Sequence, residues 1–352
     1  MMTPVAQELL ALGHNVKFVV DGEGIGYQAL LECQLGFEVQ FESAYGLYHV
    51  PADETGLVFI STCASANKVE KSYARAFYGI KPVVFGADGF FNHGYKWRDD
   101  QADFWFAINK AHAEAIHHLR PQLDPDRVKV VGQPAFDSLL ELIPRKDEIR
   151  RKQRQILRIG EDERIFLWFS QGMPEVIEED LEMIVGGVKS LGRGEFNPVF
   201  IPKVHPKLDK IKSGWVETIY GDLQNLCDLC GVRFMKADES KSEELCLSAD
   251  AILSITATDD IKNWLMGGPP VIHLMGPRVR QWFEKDLLLA SPHYLPDVQS
   301  EEALVVTSND EWEQVLRQAL DPGIRGELRQ KWQPPQEKAT EKVACTLLEL
   351  AS

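Results

Sequence analysis

Short runs of apolar residues alternate with longer amphipathic stretches along the chain, and this alternation predicts its secondary structure. In the first half the apolar runs are VKFVV, LVFIST, KPVVFG and ADFWFAIN, with helical spacing in NKVEKSYARAFYG between them. Strand-length runs separated by helix-length stretches are typical of a parallel sheet with helices on its faces. The first half therefore predicts an α/β domain.

A second series of the same kind follows a densely charged segment at residues 144–163. Its apolar runs are RIFLWFS, NPVFIPKVH, VRFMKA, ADAILSIT and PPVIHLM. We therefore expect one domain at residues 1–145, a second at residues 146–330, and a C-terminal helix at residues 331–352 that packs back across the junction. In the tail, a Pro-Gly turn and the breaker QPP are expected to separate two helices, DEWEQVLRQAL and PQEKATEKVACTLLEL.

The chain opens on a predicted helix rather than on a strand. Met1 to Leu12 has helical spacing, with Thr3 as a candidate N-cap, Pro4 at the first helical position and Gly13 after the last turn. A doubly wound domain normally has a strand and a loop before its first helix. We therefore expect either that the true start of the protein lies upstream of Met1 or that the first sheet lacks the N-terminal strand of such domains.

The composition narrows the classes of function. The length of 352 residues agrees with two domains of about 150 residues or more. The formal charge of −15, from 38 basic and 53 acidic side chains, disfavours nucleic acid as a partner. No apolar run reaches the length of a membrane span, and the opening segment lacks the pattern of a signal peptide. We expect a cytoplasmic protein, with peripheral contact to the inner face of the membrane as a further hypothesis.

Polar residues lie where the run AILSIT passes into the helical stretch TDDIKNWLMGG. Thr256, Ala257, Thr258 and Asp260 occupy this helix start. The first turn of a helix carries unpaired N–H groups and a partial positive charge, so the segment predicts a diphosphate site, with Asp260 placed to accept from ribose hydroxyls. The alternative is that Asp259 and Asp260 only complement the helix dipole.

Two other strand ends in the second half carry candidate ligand groups. Lys203 and His205 follow the strand in PVFIPKVHPKLD, and RIFLWFS is followed by Gln171 and Gly172, with Ser170 as its last residue. Open α/β sheets bind ligands at the carboxyl ends of their strands. We therefore expect phosphate or sugar contacts from these residues and a catalytic contribution from His205. For the basic strand end, an ordinary surface loop is the alternative.

The first half contributes candidates for proton transfer. The loop after KPVVFG is rich in glycine, aromatic and titratable residues, and it includes Asp88 and His93. A carboxylate and an imidazole can serve as general base and general acid toward a hydroxyl group. Asp88 is also suited to cap a turn, so both interpretations stay open.

No metal site is expected. Cys227 and Cys230 form a C-x-x-C without a second pair, which favours partly buried thiols over zinc. The six cysteines are irregularly placed and predict no disulfide framework. His112, His117 and His118 in AHAEAIHHL do not fit an H-E-x-x-H pattern, so we expect them on a solvated helix face.

Four segments together resemble the GT-B superfamily of nucleotide-sugar enzymes. They are the GH-x-V turn in GHNV, the V-x-G-x-P-x-x-D pattern in VVGQPAFD, the basic-x-H-P element in KVHP, and SITATDD, which is similar to S-G-T-A-T-x-E. Such segments occur in UDP-N-acetylglucosamine 2-epimerases, CDP-glycerol glycerophosphotransferases and lipid-A-disaccharide synthases. The resemblance implies two Rossmann-like domains facing a cleft. It also implies donor-phosphate contacts from Lys203 and His205 and a nucleotide cradle at Thr256, Thr258 and Asp260.

The chain departs from these patterns at two positions of the last segment. Ile255 stands where glycine is usual, which is expected to hold the backbone further from a diphosphate. Asp260 is one methylene shorter than the usual glutamate, which changes its reach toward ribose.

The leading hypothesis is a glycosyltransferase-like enzyme that transfers a sugar or sugar-like group from a nucleotide-diphosphate donor. It would work without a metal and with no cofactor beyond the nucleotide sugar. A non-hydrolysing UDP-N-acetylglucosamine 2-epimerase-like enzyme is one alternative, and a catalytically inactive GT-B-like binding or scaffold protein is another. The sequence does not define the acceptor; lipid-linked and cell-envelope acceptors are candidates, and a homodimer is a further hypothesis.

Overall fold

The chain divides into two compact units. Unit 1 comprises Met1–Asp137 with Gln336–Ser352, and unit 2 comprises Ser138–Pro335. The computed structural model describes residues 2–21, 38–42, 52–62, 68–87, 101–194, 196–237, 240–285, 304–331 and 337–352.

The described part of unit 1 alternates short strands with helices. Its helices are α1 (Met2–Ala11), α2 (Lys68–Phe77), α3 (Lys110–Leu119) and, from the end of the chain, α13 (Ala339–Ala351). Its strands are β1 (Lys17–Asp21), β2 (Glu38–Glu42), β3 (Val58–Thr62), β4 (Val83–Ala87), β5 (Phe104–Ala107) and β6 (Val128–Val130). Short 3-10 turns follow at Pro125–Arg127 and Pro134–Glu141. Strands β3 to β6 form a four-stranded parallel sheet in chain order, and β1 pairs with β2 in parallel.

Both faces of the four-stranded sheet are covered by apolar residues. Successive side chains of a strand point to opposite faces. Accordingly, Val83 and Phe85 of β4 pack in one cluster with α2 and α3, whereas Val84 packs in another with α1 and α13. A parallel sheet buried on both faces is the expected arrangement for an α/β unit.

The segment VVGQPAFD anchors the C-terminal helix in unit 1. The carboxylate of Asp137 accepts hydrogen bonds of 2.8 Å from the amides of Ala339 and Thr340, which caps α13. Gly132 has a φ of +87°, and a Cβ built on it would lie 2.7 Å from the Cβ of Ala339. Glycine is therefore required here both for the backbone conformation and for the close approach of the helix.

Unit 2 is built around a larger sheet. Its strands are β7 (Glu163–Phe169), β8 (Asn197–Lys203), β9 (Arg233–Phe234), β10 (Ala251–Ser254), β11 (Val271–Leu274) and β12 (Leu304–Val306). Its helices are α4 (Lys146–Ile156), α5 (Pro174–Leu191), α6 (Lys207–Ile211), α7 (Trp215–Cys230), α8 (Ser242–Ser248), α9 (Thr258–Leu265), α10 (Pro277–Lys285), α11 (Trp312–Leu320) and α12 (Pro322–Lys331). Two 3-10 turns lie at Ile143–Arg145 and Asn309–Glu311. The sheet is parallel, in the order β12-β11-β10-β7-β8-β9.

The α/β prediction is confirmed, because each unit contains a parallel sheet flanked by helices. Helix α1 comes before the first strand of the described residues, as the opening segment predicts. Within the described ranges, none of the helices is both long enough and apolar enough to span a bilayer.

The Pro-Gly turn predicted in the tail is wrong. Pro322 begins helix α12 instead of interrupting the chain. The carboxylate of Asp321 accepts hydrogen bonds of 2.8 Å and 3.0 Å from the amides of Gly323 and Ile324. A proline at the first helical position costs no hydrogen bond, so with an aspartate before it the pair starts a helix.

Candidate functional site

The carboxyl ends of three neighbouring strands meet at one edge of the unit 2 sheet. Strands β10, β7 and β8 lie side by side and run in parallel. Residues 170–172 follow β7, residues 204–206 follow β8, and residues 255–257 connect β10 to α9. Together with the first turn of α9, these three strand exits form the carboxyl-edge site.

The exit of β7 connects the other two exits. The amide of His205 donates to the hydroxyl of Ser170 at 2.8 Å, and the side-chain amide of Gln171 donates to the carbonyl of Thr256. Ser170 and Gln171 are both buried, so these polar groups are used within the protein. The structure therefore brings together residues that lie far apart in the sequence. Ser170 and Gln171, however, use their polar groups to connect the strand exits with each other. Direct ligand contact by either residue stays a prediction.

A buried carboxylate on α5 supports this bridge. Asp180 is fully buried and accepts hydrogen bonds of 3.1 Å from Trp168 Nε1 and from the amide of Gln171. Burial raises the pKa of Asp180 to about 7, against the opposing effect of these two hydrogen bonds. Sequence analysis missed Asp180, although its helical spacing from Ile177 and Ile184 places it on the apolar stripe of α5.

His205 presents one ring nitrogen as a hydrogen-bond donor. Its Nδ1 accepts from the amide of Lys207 at 3.1 Å. Burial, helped by the charge of Lys207, lowers the pKa of this half-buried imidazole. The neutral ring therefore carries its proton on Nε2, which has no hydrogen-bond partner in the described part of the chain. The backbone of Gly172 packs on the ring, since a Cβ at that position would lie 2.7 Å from Nδ1.

Lys203 is directed toward backbone carbonyls. Its Nζ donates to the carbonyl oxygens of Ala237 at 3.1 Å and Ser240 at 3.5 Å. The side chain is half-buried at the end of β8. It contributes a positive charge to this edge of the sheet, and its contact with a donor phosphate stays a prediction.

The two aspartates in the first turn of α9 are engaged within the protein. The carboxylate of Asp260 accepts from the amide of Ala257 at 2.7 Å and is buried. The carboxylate of Asp259 accepts from the hydroxyl of Ser242 at 2.7 Å and pairs with Lys262 at 3.1 Å. These contacts favour the alternative in which both residues only complement the helix dipole, with Asp260 as a cap, and ribose binding by Asp260 stays a prediction.

The first turn of α9 nevertheless keeps two unused donors. Among the described residues, the amides of Thr258 and Asp259 have no hydrogen-bond partner, and the side chain of Thr258 is exposed. Ile255, which replaces the usual glycine, is fully buried, so its side chain lies in the core and not over these amides. Its carbonyl oxygen lies 3.1 Å from Nδ1 of the buried His273. Amides at a helix N-terminus suit an anionic ligand.

The neighbouring helix α10 has no such opening. The carboxylate of Glu179, from α5, accepts hydrogen bonds of 3.0 Å and 2.7 Å from the amides of Arg278 and Val279. A Cβ built on Gly276 would lie 2.5 Å from the carboxylate carbon of Glu179, so the glycine allows this close contact. A protein carboxylate thus already occupies the place where an anionic ligand would bind.

The candidates in unit 1 and the cysteine pair do not belong to the carboxyl-edge site. Asp88 and His93 lie outside the described residues, so their acid and base roles stay predictions.

The solvated helix face predicted for His112 is wrong, because this side chain is fully buried and its Nδ1 accepts from the amide of Ile108 at 2.9 Å. Burial lowers the pKa of His112 to about 3, which makes it a neutral part of the core. The thiol of Cys227 is also buried, and burial raises its pKa to about 12.

Solved structures share the architecture of this chain over nearly its whole length. A UDP-GlcNAc 2-epimerase from Neisseria meningitidis bound to UDP-GlcNAc aligns with a TM-score of 0.60 at 15% identity, covering 99% of this chain and 96% of that one. The chain has the GT-B fold. The UDP-GlcNAc 2-epimerase from Methanocaldococcus jannaschii in complex with UDP-GlcNAc and UDP shares this fold at a TM-score of 0.61 and 13% identity, with 99% and 96% coverage.

A third protein with the GT-B fold comes from another reaction class. A variant of the wall teichoic acid polymerase TagF soaked with CDPG aligns at a TM-score of 0.52 and 10% identity, covering 99% of this chain and 84% of that one. No protein-family model matches the sequence, and the search of curated proteins finds no match. The predicted GT-B resemblance is therefore confirmed for the fold, while activity has to be argued from the site itself.

Proposed function

We propose that the chain is an enzyme that binds a nucleotide-diphosphate sugar at the carboxyl-edge site and transfers the sugar to an acceptor. The observation that carries this proposal is the open first turn of α9, where the amides of Thr258 and Asp259 have no acceptor among the described residues. Gln171 and Ser170 connect the strand exit before this turn to His205, whose Nε2 is a further donor with no partner in the part of the chain that the structure describes. These donors suit a diphosphate.

In this proposal the site stabilises the charge that develops on the departing nucleoside diphosphate. The α9 amides and the helix dipole act on one part of the diphosphate, and His205 donates a hydrogen bond as a neutral imidazole. Lys203 adds a positive charge at the same sheet edge. Each such contact contributes on the order of 2–4 kcal/mol to transition-state stabilisation. Asp88 or His93 would take the proton of the acceptor, and turnover would persist in a chelator.

Epimerisation of a UDP-hexosamine is the second candidate reaction. The two UDP-GlcNAc 2-epimerases align at TM-scores of 0.60 and 0.61 and are covered to 96%, against 0.52 and 84% for the TagF variant. Epimerisation needs acid and base groups at the sugar ring and no acceptor. Incubation with UDP-GlcNAc alone, followed by proton NMR, separates the two: a second UDP-hexosamine favours epimerisation, whereas UDP released together with free N-acetylglucosamine, with water as the acceptor, favours transfer.

Isothermal titration with UDP, CDP, GDP and CMP tests donor binding. We expect at least one nucleoside diphosphate to bind and CMP to bind more weakly, because CMP lacks the second phosphate. His205→Gln should weaken the binding, whereas His118→Gln, on the exposed part of α3, should leave it unchanged. Absence of binding by all four nucleotides at millimolar concentration would remove the proposal.

A further inference from the structure

Helix α6 and the turn after it present a surface that is both basic and apolar. Lys207, Lys210, Ile211 and Lys212 are exposed, and Trp215 at the start of α7 is half-buried. Residues three and four apart lie on one side of a helix, so Lys207, Lys210 and Ile211 share a side of α6. These five residues are called the α6 surface.

Contacts behind the α6 surface hold it in place. Leu208 of α6 is fully buried, and the carboxylate of Asp209 accepts from the amide of Val216 at 3.0 Å, which connects α6 to α7. The Nζ of Lys212 lies 6.0 Å from the ring centroid of Trp215. The α6 surface is therefore a built part of unit 2, with its lysines and its apolar side chains side by side.

The charges around the α6 surface leave it positive. No ion pair joins its three lysines to another residue in the described part of the chain. Asp209 lies among them, but its carboxylate is placed at the first turn of α7, whose partial positive charge offsets part of its own. Glu217 is paired with Lys236 at 3.0 Å. Among the described residues, three positive charges thus face a single acidic group that has no ion-pair partner.

Helix α4 also exposes basic and apolar side chains, but its charges are balanced. Its exposed Arg151 and Lys152 are matched by the exposed Asp147 and Glu148. Its last residue, Ile156, is exposed as well. The excess of positive charge distinguishes the α6 surface from α4, so α4 provides a matched comparison for an anionic partner.

We propose that the α6 surface binds the face of an anionic lipid bilayer. Each lysine near such a bilayer strengthens binding by about fivefold, and three lysines act together here. Ile211 and Trp215 suit the boundary between headgroups and acyl chains, where apolar and amphipathic side chains lie. A nucleic acid would use the lysines but not an exposed isoleucine, so the two features together favour a bilayer.

The charge of the whole chain makes this contact specific for one face. The formal charge of −15 opposes the approach of the protein to an anionic bilayer. Charges more than about 8 Å away are largely screened at physiological ionic strength, so the surface in contact with the lipid decides the binding. We therefore expect binding through α6 that weakens as salt is added.

The α6 surface borders the carboxyl-edge site. The amide of Lys207 donates to Nδ1 of His205 at 3.1 Å. A bilayer bound at α6 would bring lipid-linked molecules close to this imidazole, which suits a lipid-linked acceptor. That consequence rests on the proposed sugar transfer, whereas the binding of a bilayer does not.

Co-sedimentation of the full chain with lipid vesicles, without nucleotide, tests the proposal. One set of vesicles contains phosphatidylglycerol and phosphatidylcholine in equal parts, and the other contains phosphatidylcholine alone. We expect saturable binding to the anionic vesicles, binding to the neutral vesicles that is weaker by about tenfold or more, and a loss of binding at high salt.

A pair of double variants tests the charge of the surface. Lys210→Gln combined with Lys212→Gln should weaken binding to the anionic vesicles by about tenfold or more. Arg151→Gln combined with Lys152→Gln removes two positive charges from α4 and should leave the binding unchanged.

A pair of single variants tests the apolar contact. Ile211→Ser should weaken binding by about fivefold, because a polar side chain gains nothing at the boundary with the acyl chains. Leu229→Ser is its control: this leucine is 86% exposed at the other end of α7, in a helix without lysine or arginine. It should bind vesicles as the wild type does.

Three results would overturn the proposal: no saturable binding to anionic vesicles, equal binding to both kinds of vesicle, or equal losses in the α6 and α4 double variants. A loss in the lysine variant with none in Ile211→Ser would also overturn it, since a polyanion such as a nucleic acid would then be the partner. A chain that binds vesicles but no nucleotide would keep this inference and lose the proposed function.

Discussion

Two helices of unit 2 begin at the same edge of one sheet, yet their first turns are used differently. Helices α9 and α10 follow the neighbouring strands β10 and β11. At α10 a carboxylate from another helix, Glu179, accepts from two amides. At α9 the cap is the helix's own Asp260, and the amides of Thr258 and Asp259 have no partner within the described ranges. One positive helix end is closed and the other is open.

Helix α5 contributes to both ends through adjacent carboxylates. Glu179 closes the start of α10, whereas Asp180 holds the amide of Gln171, whose side chain reaches Thr256 before α9. The first-turn amides of a helix are therefore available to a ligand only where no fixed carboxylate accepts from them. The two helix ends differ because α5 supplies a carboxylate to the first-turn amides of α10, whereas at α9 its carboxylate only positions Gln171.

Removal of the carboxylate at the closed end should have the largest effect. Glu179→Ala leaves the buried amide of Val279 and the partly buried amide of Arg278 without an acceptor, so we expect a loss of about 2–4 kcal/mol in the free energy of unfolding. Glu178→Ala is the matched control: its exposed side chain pairs with exposed Arg278, and such pairs contribute about 0–1 kcal/mol. Urea denaturation measures both. Equal losses for the two variants would show that closing α10 contributes no stability of its own.

The carboxylate that supports the open end should make stability depend on pH. The pKa of Asp180 is about 7 in the folded protein, above the ordinary value of 3.8 for an aspartate, so its contribution to stability is full below pH 4 and is lost as pH rises through 7. Between pH 5 and pH 7.5 we expect this group to lower the free energy of unfolding by about 2–3 kcal/mol. Asp180→Asn removes this pH-dependent contribution. The variant should therefore be less stable than wild type by a larger free energy of unfolding at pH 5 than at pH 7.5.

The same urea series on Glu182→Gln, on the exposed side of α5, serves as the control for Asp180. Its pH dependence should follow the wild type. If the wild type and Asp180→Asn lose stability in parallel across this range, Asp180 does not titrate there and the support it gives to Gln171 is independent of pH.

Local pattern was sufficient to predict the open end but not to define its chemistry. Helical spacing and the residues TDD correctly predict that a helix starts near Thr258. Whether Asp260 binds ribose or caps its own helix depends on side-chain geometry over three residues, which the pattern leaves open. The parallel sheets and the GT-B resemblance follow from periodicity and motifs that are local in sequence, whereas the strand order comes from the structure alone.

The closed end was missed because its partners are distant in sequence. Glu179 and Val279 are 100 residues apart, and the acidic run around Glu179 is also typical of a solvated helix face. The prediction for His112 is wrong for a different reason: its partner, the amide of Ile108, is only four residues away, but the tertiary fold buries the whole side chain in the core. Residue type predicts that a polar group needs a partner, but the tertiary fold decides whether that partner is water or protein.

The substitution with the smallest expected effect on stability tests the open first turn of α9 most directly. Thr258 occupies the first position of α9, where proline is tolerated, and Ala257 before it is extended at φ −122° and ψ 153°, as a residue preceding proline prefers. Thr258→Pro should therefore keep the free energy of unfolding within about 0.5 kcal/mol of wild type.

The same substitution deletes an amide that we assign to the donor phosphates, so the nucleoside diphosphate that binds best should bind about tenfold more weakly. Thr258→Ala keeps the backbone amide and loses only the side-chain hydroxyl. It therefore distinguishes the contribution of the amide to nucleotide binding from that of the hydroxyl. Calorimetric titration of both variants decides between them. Unchanged affinity in Thr258→Pro would mean that this amide faces no phosphate, and the open and closed helix ends would then differ in stability alone.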